Sequence, residues 1–244
     1  MILDTQGLDG SDPIVQSDPG VPQVAGLDSS RQAVLDKLWR LWSSRRARNA
    51  LLDVYYDGHR SLQDLGISVP PQMTRVRAAL AWPFKAVQSL ARKHVFEGFS
   101  LDGDTDPFDL SSLLAHNSFD LELSQGITSA YKHCCSFITC TLGDPSAGDP
   151  EVVLQARDAL WSAALWDRRR RQISAALTIT DVAKDAPSAA VLYLPDDVIA
   201  LERGAAGNWV ARSLGNPTGR VLVEPLVYDP QLSRPLGRSR ISRE

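Results

Sequence analysis

The stretch YKHCCSFITCTL, residues 131–142, is where the chain changes its periodicity. Leading into it, Leu121–Tyr131 places apolar residues at helical spacing, with Gly126 inside the run. After about Cys134 the texture differs. Phe137–Leu142 is rich in β-branched and aromatic side chains, the composition of a strand. Further strand-like runs follow at Val152–Ala156, Ile173–Thr180, Ala190–Leu194, Val198–Leu201, Asn208–Arg212 and Val221–Val227. Turn signals separate them at Asp167–Arg171, Asp185-Ala186-Pro187, Gly204–Gly207 and Gly215–Gly219. A helical half feeding a mostly antiparallel β region predicts an α+β fold.

Upstream of that boundary, Asp28, Ser29 and Ser30 offer N-cap oxygens for a helix. Val34, Leu35, Leu38, Leu41 and Trp42 follow at helical spacing, and the pattern resumes after Ser43-Ser44 through Val54 and Tyr55. Gly58 suits the left-handed position that closes a helix. One helix, or two in tandem, is expected over about 30–57. A loop over 58–71 ends in Pro70-Pro71, and helical spacing returns from Gln72 to about His94. Pro83 removes one helical N–H, so a kink or a split is expected there. Phe96–Leu101 reads as a short strand, Asp102–Pro107 as a polar turn and Leu110–Leu114 as a helix.

Four parts are expected: an acidic flexible arm at 1–29, a helical part at 30–133, a β-rich part at 134–230 and a linker at 231–244. The first 30 residues hold five aspartates and no Lys or Arg, too little apolar surface to offset their ordering entropy. The whole chain has 244 residues, 43% hydrophobic and 23% charged, and a net charge of −3. That is enough for a real core, and it excludes a collagenous or histone-like protein. No global basic field argues for nucleic acid. Three cysteines, two of them adjacent, make no disulfide framework. No apolar run approaches the ~20 residues of a membrane helix, and the N-terminus has no signal-peptide pattern.

Catalytic signatures are missing from the sequence. Neither phosphate-loop pattern occurs, nor GxSxG, nor HExxH. His133, Cys134, Cys135 and Cys140 are the best metal candidates, but adjacent cysteines diverge on a strand and no second knuckle exists. They read as small apolar residues entering a buried strand. Asp102, Asp104 and Asp106 start like a calcium loop, yet Pro107 and Leu113 stand where Gly and a bidentate carboxylate are required. An Asp-rich turn is the better reading, with Asp106 or Asp109 capping the next helix. Arg168, Arg169, Arg170 and Arg171 are weak DNA-contact candidates. A solvated hairpin tip between Leu160–Trp166 and Ile173–Ile179 is the favoured reading. Arg45, Arg46 and Arg48 spread over more than one helix face. His59, His94, His116 and His133 carry no informative spacing, and Trp39 and Trp42 read as core. No catalytic group, cofactor or metal is assigned.

Two separated blocks decide the family. The first holds Tyr55-Tyr56-Asp57-Gly58-His59, Leu65-Gly66-Ile67-Ser68-Val69-Pro70, Ala81-Trp82-Pro83-Phe84 and Phe96-Glu97-Gly98-Phe99. The second holds Val223-Glu224-Pro225-Leu226-Val227 and Leu232-Ser233-Arg234-Pro235-Leu236-Gly237-Arg238-Ser239-Arg240-Ile241. In this order they resemble the N-terminal region of portal proteins from long-tailed double-stranded-DNA phages of actinobacteria, over about residues 30–243. The resemblance marks Tyr55, Tyr56, Asp57, Gly58, Trp82, Pro83, Gly98, Phe99, Pro225, Pro235, Gly237 and Arg238 as structural motif residues. Tyr55 and Tyr56 are suited to bury rings with a hydroxyl reaching a partner, and Trp82-Pro83 to seat a bulky anchor at a helix start or kink.

The resemblance implies a virion structural protein at one capsid vertex, a head–tail connector without catalysis. Members form a dodecameric ring through which double-stranded DNA is packaged and ejected. Terminase, capsid or scaffold proteins and head-completion proteins are their partners, and no membrane is involved. Members continue past the Gly237–Ile241 block into stem, clip and crown. This chain is therefore expected to be a wing region with a linker toward a missing stem, as a fragment, a truncated prophage product or a broken reading frame. Alone, it is expected to form no stable DNA-conducting ring and to self-associate through exposed apolar patches. Two other classes compete. One is a nucleic-acid-binding module using the basic helix and the Arg168 run. The other is a divergent hydrolase, which would need a cleft of converging titratable groups.

Overall fold

A computed structural model describes residues 20–58, 81–100, 106–144, 146, 148–183 and 186–241. Helices are α1 (Ser29–Tyr56), α2 (Trp82–Ala91), α3 (Leu110–His116) and α4 (Phe119–His133). Strands are β1 (Val24–Ala25), β2 (Cys135–Leu142), β3 (Val152–Asp158), β4 (Ser162–Asp167), β5 (Gln172–Ala183), β6 (Ala186–Tyr193), β7 (Val198–Arg203), β8 (Trp209–Ser213) and β9 (Val223–Val227). They form a six-stranded sheet in the order β1-β8-β7-β6-β5-β4 and a three-stranded sheet in the order β3-β2-β9. All pairings are antiparallel except β1 with β8. The fold is α+β, as the change of periodicity predicts.

α1 is one continuous helix, and Ser43-Ser44 does not break it. Their hydroxyls bond back to the carbonyls of Arg40 and Leu41, so the helix carries them internally. Asp28 caps its start by accepting from the N–H groups of Ser30 and Arg31. Gly58, at φ 71°, follows its last turn. Arg31 clamps that first turn to the β6–β7 turn, 2.7 Å from Asp196 and 3.0 Å from the buried Asp197.

Strand alternation splits the six-stranded sheet between two cores. Ala163, Leu177, Leu192 and Ile199 pack with Leu35, Leu38, Trp39 and Trp42 of α1. Ala164, Ala176, Tyr193 and Val198 pack instead with Cys135 and Phe137 of β2 and Val223 of β9. The helical and β-rich segments therefore share their cores. On β2, Ser136 points the other way, and its hydroxyl donates to the carbonyl of Gly126 in α4 at 2.7 Å. A Cβ on Gly126 would lie 3.0 Å from Leu226 Cδ1, so the glycine lets helix and sheet approach closely.

β3 is an edge strand, and side chains from the neighbouring helices cover it. Asn117 Oδ1 accepts from the N–H of Leu154 at 2.8 Å, and Glu122 Oε2 from that of Ala156 at 2.5 Å.

Several expectations change. Residues 20–28 are not part of a flexible arm: Val24 is buried, and Val24–Ala25 extends the large sheet beside Trp209–Val210. Two residues beside a parallel partner carry no alternation to read. The expected strand at Phe96–Leu101 is absent over 96–100, which runs as irregular backbone with Gly98 at φ 98°. Its apolar residues serve ring packing, with Phe96 5.3 Å from Phe99 and 5.5 Å from Phe119. Pro83 lies in the first turn of α2, where its missing N–H costs nothing; α2 carries no kink, and its start at Trp82 is compatible with the expected split. Ala186 and Pro187 belong to β6, not to a turn. Residues 231–241 are no linker. Arg238 N–H donates to Tyr228 O at 3.2 Å and Arg240 N–H to Tyr131 O at 2.8 Å, folding the segment back onto α4 and β9. Asp102 and Asp104 of the expected turn, His59, the Leu65–Pro70 block, the expected loop over 59–71 and the expected helical stretch over 72–80 lie outside the described residues.

Candidate functional site

α4 ends at His133, and β2 begins at Cys135. Cys134 makes the whole reversal, at φ 93°, a conformation that costs about 1–3 kcal/mol in a residue with a Cβ. Both its backbone groups are held: N–H donates to Ala130 O, and its carbonyl accepts from Tyr228 N–H, each at 3.0 Å. That backbone turns the two thiols toward each other, with the sulfurs 3.8 Å apart, instead of the divergence expected on a strand. No group of three or more metal-ligating side chains forms among the described residues.

An ionic cluster sits beside this junction. Asp53, from the last turns of α1, lies 2.5 Å from Lys132 Nζ and 2.9 Å from Nε2 of the fully buried His133. Burial pushes the Asp53 carboxyl up. The hydrogen bond from His133 and the charges of His133 and Lys132 outweigh it, and the net position is below the ordinary aspartate value of 3.8. Lys132 Nζ also lies 5.2 Å from the centre of the Tyr56 ring. Tyr56 in turn meets Phe84 at 5.3 Å, and its hydroxyl accepts from Gln88 Nε2 at 2.6 Å.

The returning segment closes the junction from the other side. Ser239 Oγ donates to Lys132 O at 2.5 Å, the tilted rings of Tyr131 and Tyr228 meet at 4.6 Å, and Arg238 Nε pairs with Asp229 at 2.7 Å. Gly237 sits at φ 70°, where a Cβ would come 2.1 Å from Tyr228 O. Only glycine fits that crossing.

Between α1, the start of β2 and residues 234–239 lies a cleft of about 490 Å³. Its walls are mostly apolar, and Arg45, Arg48 and Cys134 line it. Hydrogen bonding to Cys135 lowers the Cys134 thiol below the ordinary thiol value against burial, and the charges of Arg48 and Arg45 add to this. Cys135 moves up, through its bond to Cys134 and its burial. Arg46 points elsewhere and lies over Trp42 and Trp161, at 5.4 and 5.0 Å.

Much of the two motif blocks thus converges on α4. Tyr56 reaches it through Lys132, Phe96 of the Gly98-Phe99 block through Phe119, and Gly237 and Arg238 through Tyr228. Pro225 sits on β9 opposite Phe137, and Pro235 lines the cleft. Tyr55 is exposed, and Asp57 caps the end of α1. Trp82 is 70% exposed, so it is no buried anchor among the described residues. Arg168–Arg171 form the exposed tip of the β4–β5 hairpin, with Asp167 accepting from the N–H groups of Arg169 and Arg170. Asp106, not Asp109, supplies the capping carboxylate for α3, accepting from Ser111 N–H at 2.8 Å. His94 meets the Tyr131 hydroxyl at 3.0 Å, and His116 bonds within α3.

Sequence reasoning missed Asp53, Lys132 and Ser239 as partners. The only signal for Asp53 is its place within the apolar run Leu51-Leu52-Asp53-Val54.

Two mostly antiparallel sheets and four helices thus meet at a polar junction. No protein-family model matches the chain. It is 33% identical over 198 residues to the portal protein of Mycobacterium phage L5, and equally to that of Mycobacterium phage D29. Each match covers 78% of this chain and 40% of the relative, so the chain spans well under half the length of the curated relatives it matches. The chain is a relative of phage portal proteins. No described helix is long and apolar enough to cross a membrane.

Proposed function

We propose that this chain is the wing-like part of a phage portal, a virion structural protein at the capsid vertex through which DNA enters and leaves. The observation that carries this reading is the 33% identity over 198 residues to two portal proteins. The meeting of the sequence blocks on α4 supports it, since residues far apart in sequence then serve one packed junction. On this reading the chain is not an enzyme. Its partners are other portal subunits, capsid or scaffold proteins, terminase and head-completion proteins, and double-stranded DNA passes through the assembled ring.

Rings need heterologous contacts, in which two different surface patches of each subunit meet. Trp82, Phe84, Val95 and Phe99 are large apolar residues left exposed near α2, a supply of such surface. The covered 40% of the relatives leaves more than half of a portal unaccounted for. The chain by itself is therefore expected to self-associate without closing a DNA-conducting ring.

Immunogold labelling of particles from a host carrying the gene tests the reading. Label at a single vertex is expected. Label spread over the shell, or absent from particles while the protein is abundant in the lysate, would overturn it. Electron microscopy of the purified chain tests the second point, and a closed ring would refute it.

A further inference from the structure

The Cys134–Cys135 pair, the cleft and two of the four arginines that line it, Arg45 and Arg48, have no part in the portal reading. Cys134 opens on a 490 Å³ space, and Cys135 is buried beside it with the sulfurs 3.8 Å apart. Arg45 and Arg48 stand one turn apart on the exposed side of α1 and line the same cleft. Neither forms a salt bridge among the described residues. Two guanidinium groups beside a thiol recognise a small molecule that carries carboxylates and reacts with sulfur.

We propose that this cleft is an S-thiolation site, in which Cys134 exchanges with a small disulfide whose carboxylates are held by Arg45 and Arg48. The Cys134 thiol gives its proton to solvent. The resulting thiolate attacks one sulfur of the bound disulfide, the S–S bond breaks, and the departing half leaves as a thiolate that solvent protonates. Cys134 keeps the other half as a mixed disulfide, and no further oxidant is needed. Cys135 does not displace it readily. One peptide bond holds neighbouring Cα atoms about 3.8 Å apart. That is below the 4.4 Å or so at which disulfides begin to be unstrained. Cys140 is the internal control, since burial raises its thiol and neither arginine is among its interactions.

The test uses the full chain with glutathione disulfide, an anion, and bis(2-hydroxyethyl) disulfide, which is neutral. Intact mass and peptide mapping follow each site with time. Glutathione disulfide should modify Cys134 about tenfold or more faster than Cys140, a ratio equal to about 1.4 kcal/mol. Added salt should slow that reaction more than the reaction of the neutral reagent, because screening weakens the attraction of the anion in addition to the arginines' effect on the thiol, which both reagents share. The Arg45→Gln/Arg48→Gln double variant should reproduce the effect of salt, with an unchanged unfolding midpoint as its control. Equal rates at Cys134 and Cys140, equal salt dependence for both reagents, or a Cys134–Cys135 disulfide as the main product would each overturn the proposal. The salt series needs no variant, so it decides even if the double variant fails to fold.

Discussion

The two sides of the six-stranded sheet are held by different physics. On the α1 side, Trp39, Trp42 and Trp209 meet edge-on at 5.4 and 5.7 Å over a floor of Leu and Ile side chains. Burial of apolar area dominates there, at roughly 25 cal/mol per Å². On the side of β2 and β9 the core is smaller, and polar contacts carry the connections: Asp53 with Lys132 and His133, Ser136 with Gly126, Ser239 with Lys132. Hydrophobic burial is non-directional and tolerates repacking. Buried polar contacts do not, because a donor or acceptor left alone keeps its desolvation cost. The first side provides stability, and the second fixes how α4, β2 and the 228–241 segment cross.

The largest effect that separates the two sides should come from Trp42→Ala. It removes a buried indole and the bond from Nε1 to Leu160 O, and should cost about 3–5 kcal/mol in denaturant unfolding. A loss below about 1 kcal/mol would mean the indole is not a principal core member.

Next is Asp53→Asn. Breaking a buried pair costs about 3–5 kcal/mol, and partial exposure of Asp53 brings the expected loss to about 1–3 kcal/mol. The pH dependence has a definite sign. The folded Asp53 carboxyl titrates below 3.8 and so binds protons less readily than the unfolded one. Its contribution is complete above the ordinary aspartate range and is lost as pH falls through the folded value. Acid unfolding should flatten correspondingly in Asp53→Asn. An identical acid limb would show that the pair contributes nothing.

Gly237→Ala should cost about 1–3 kcal/mol from backbone conformation, plus the clash with Tyr228 O. Hydrogen exchange should quicken over 234–241 and at the end of α4, and stay unchanged at the tryptophan cluster. Loss of protection everywhere would mean that the two sides do not differ in this way.

Smallest is replacement of Arg168–Arg171 by serine, expected to shift stability by no more than about 0.5 kcal/mol because the tip is exposed. The same variant discriminates a nucleic-acid module. A large loss of salt-sensitive DNA affinity would favour that class over the portal reading.

The legible parts of the sequence were those with a period. α1 and α4 follow helical spacing, and seven strands were found because β-branched runs alternate between turn signals. The portal resemblance came from residue order in two blocks. Three features were illegible for identifiable reasons. β1 is two residues long and shows no pattern. Residues 96–100 look like a strand, because aromatic residues that pack on Phe119 have strand composition. The 231–241 segment has linker composition but docks through backbone hydrogen bonds, which any sequence can make.

The candidate site divides the same way. Sequence alone determined the helices, most strands, the absence of short catalytic signatures and the kinship to portals, because these rest on local spacing or residue order. Only the tertiary structure decided that Asp53 meets His133 from 80 residues away, that Cys134 turns its sulfur onto that of Cys135, and that Gly237 crosses Tyr228. Such contacts depend on how separate elements cross. The chain sets those crossings through its packed cores, and no single stretch of sequence encodes them.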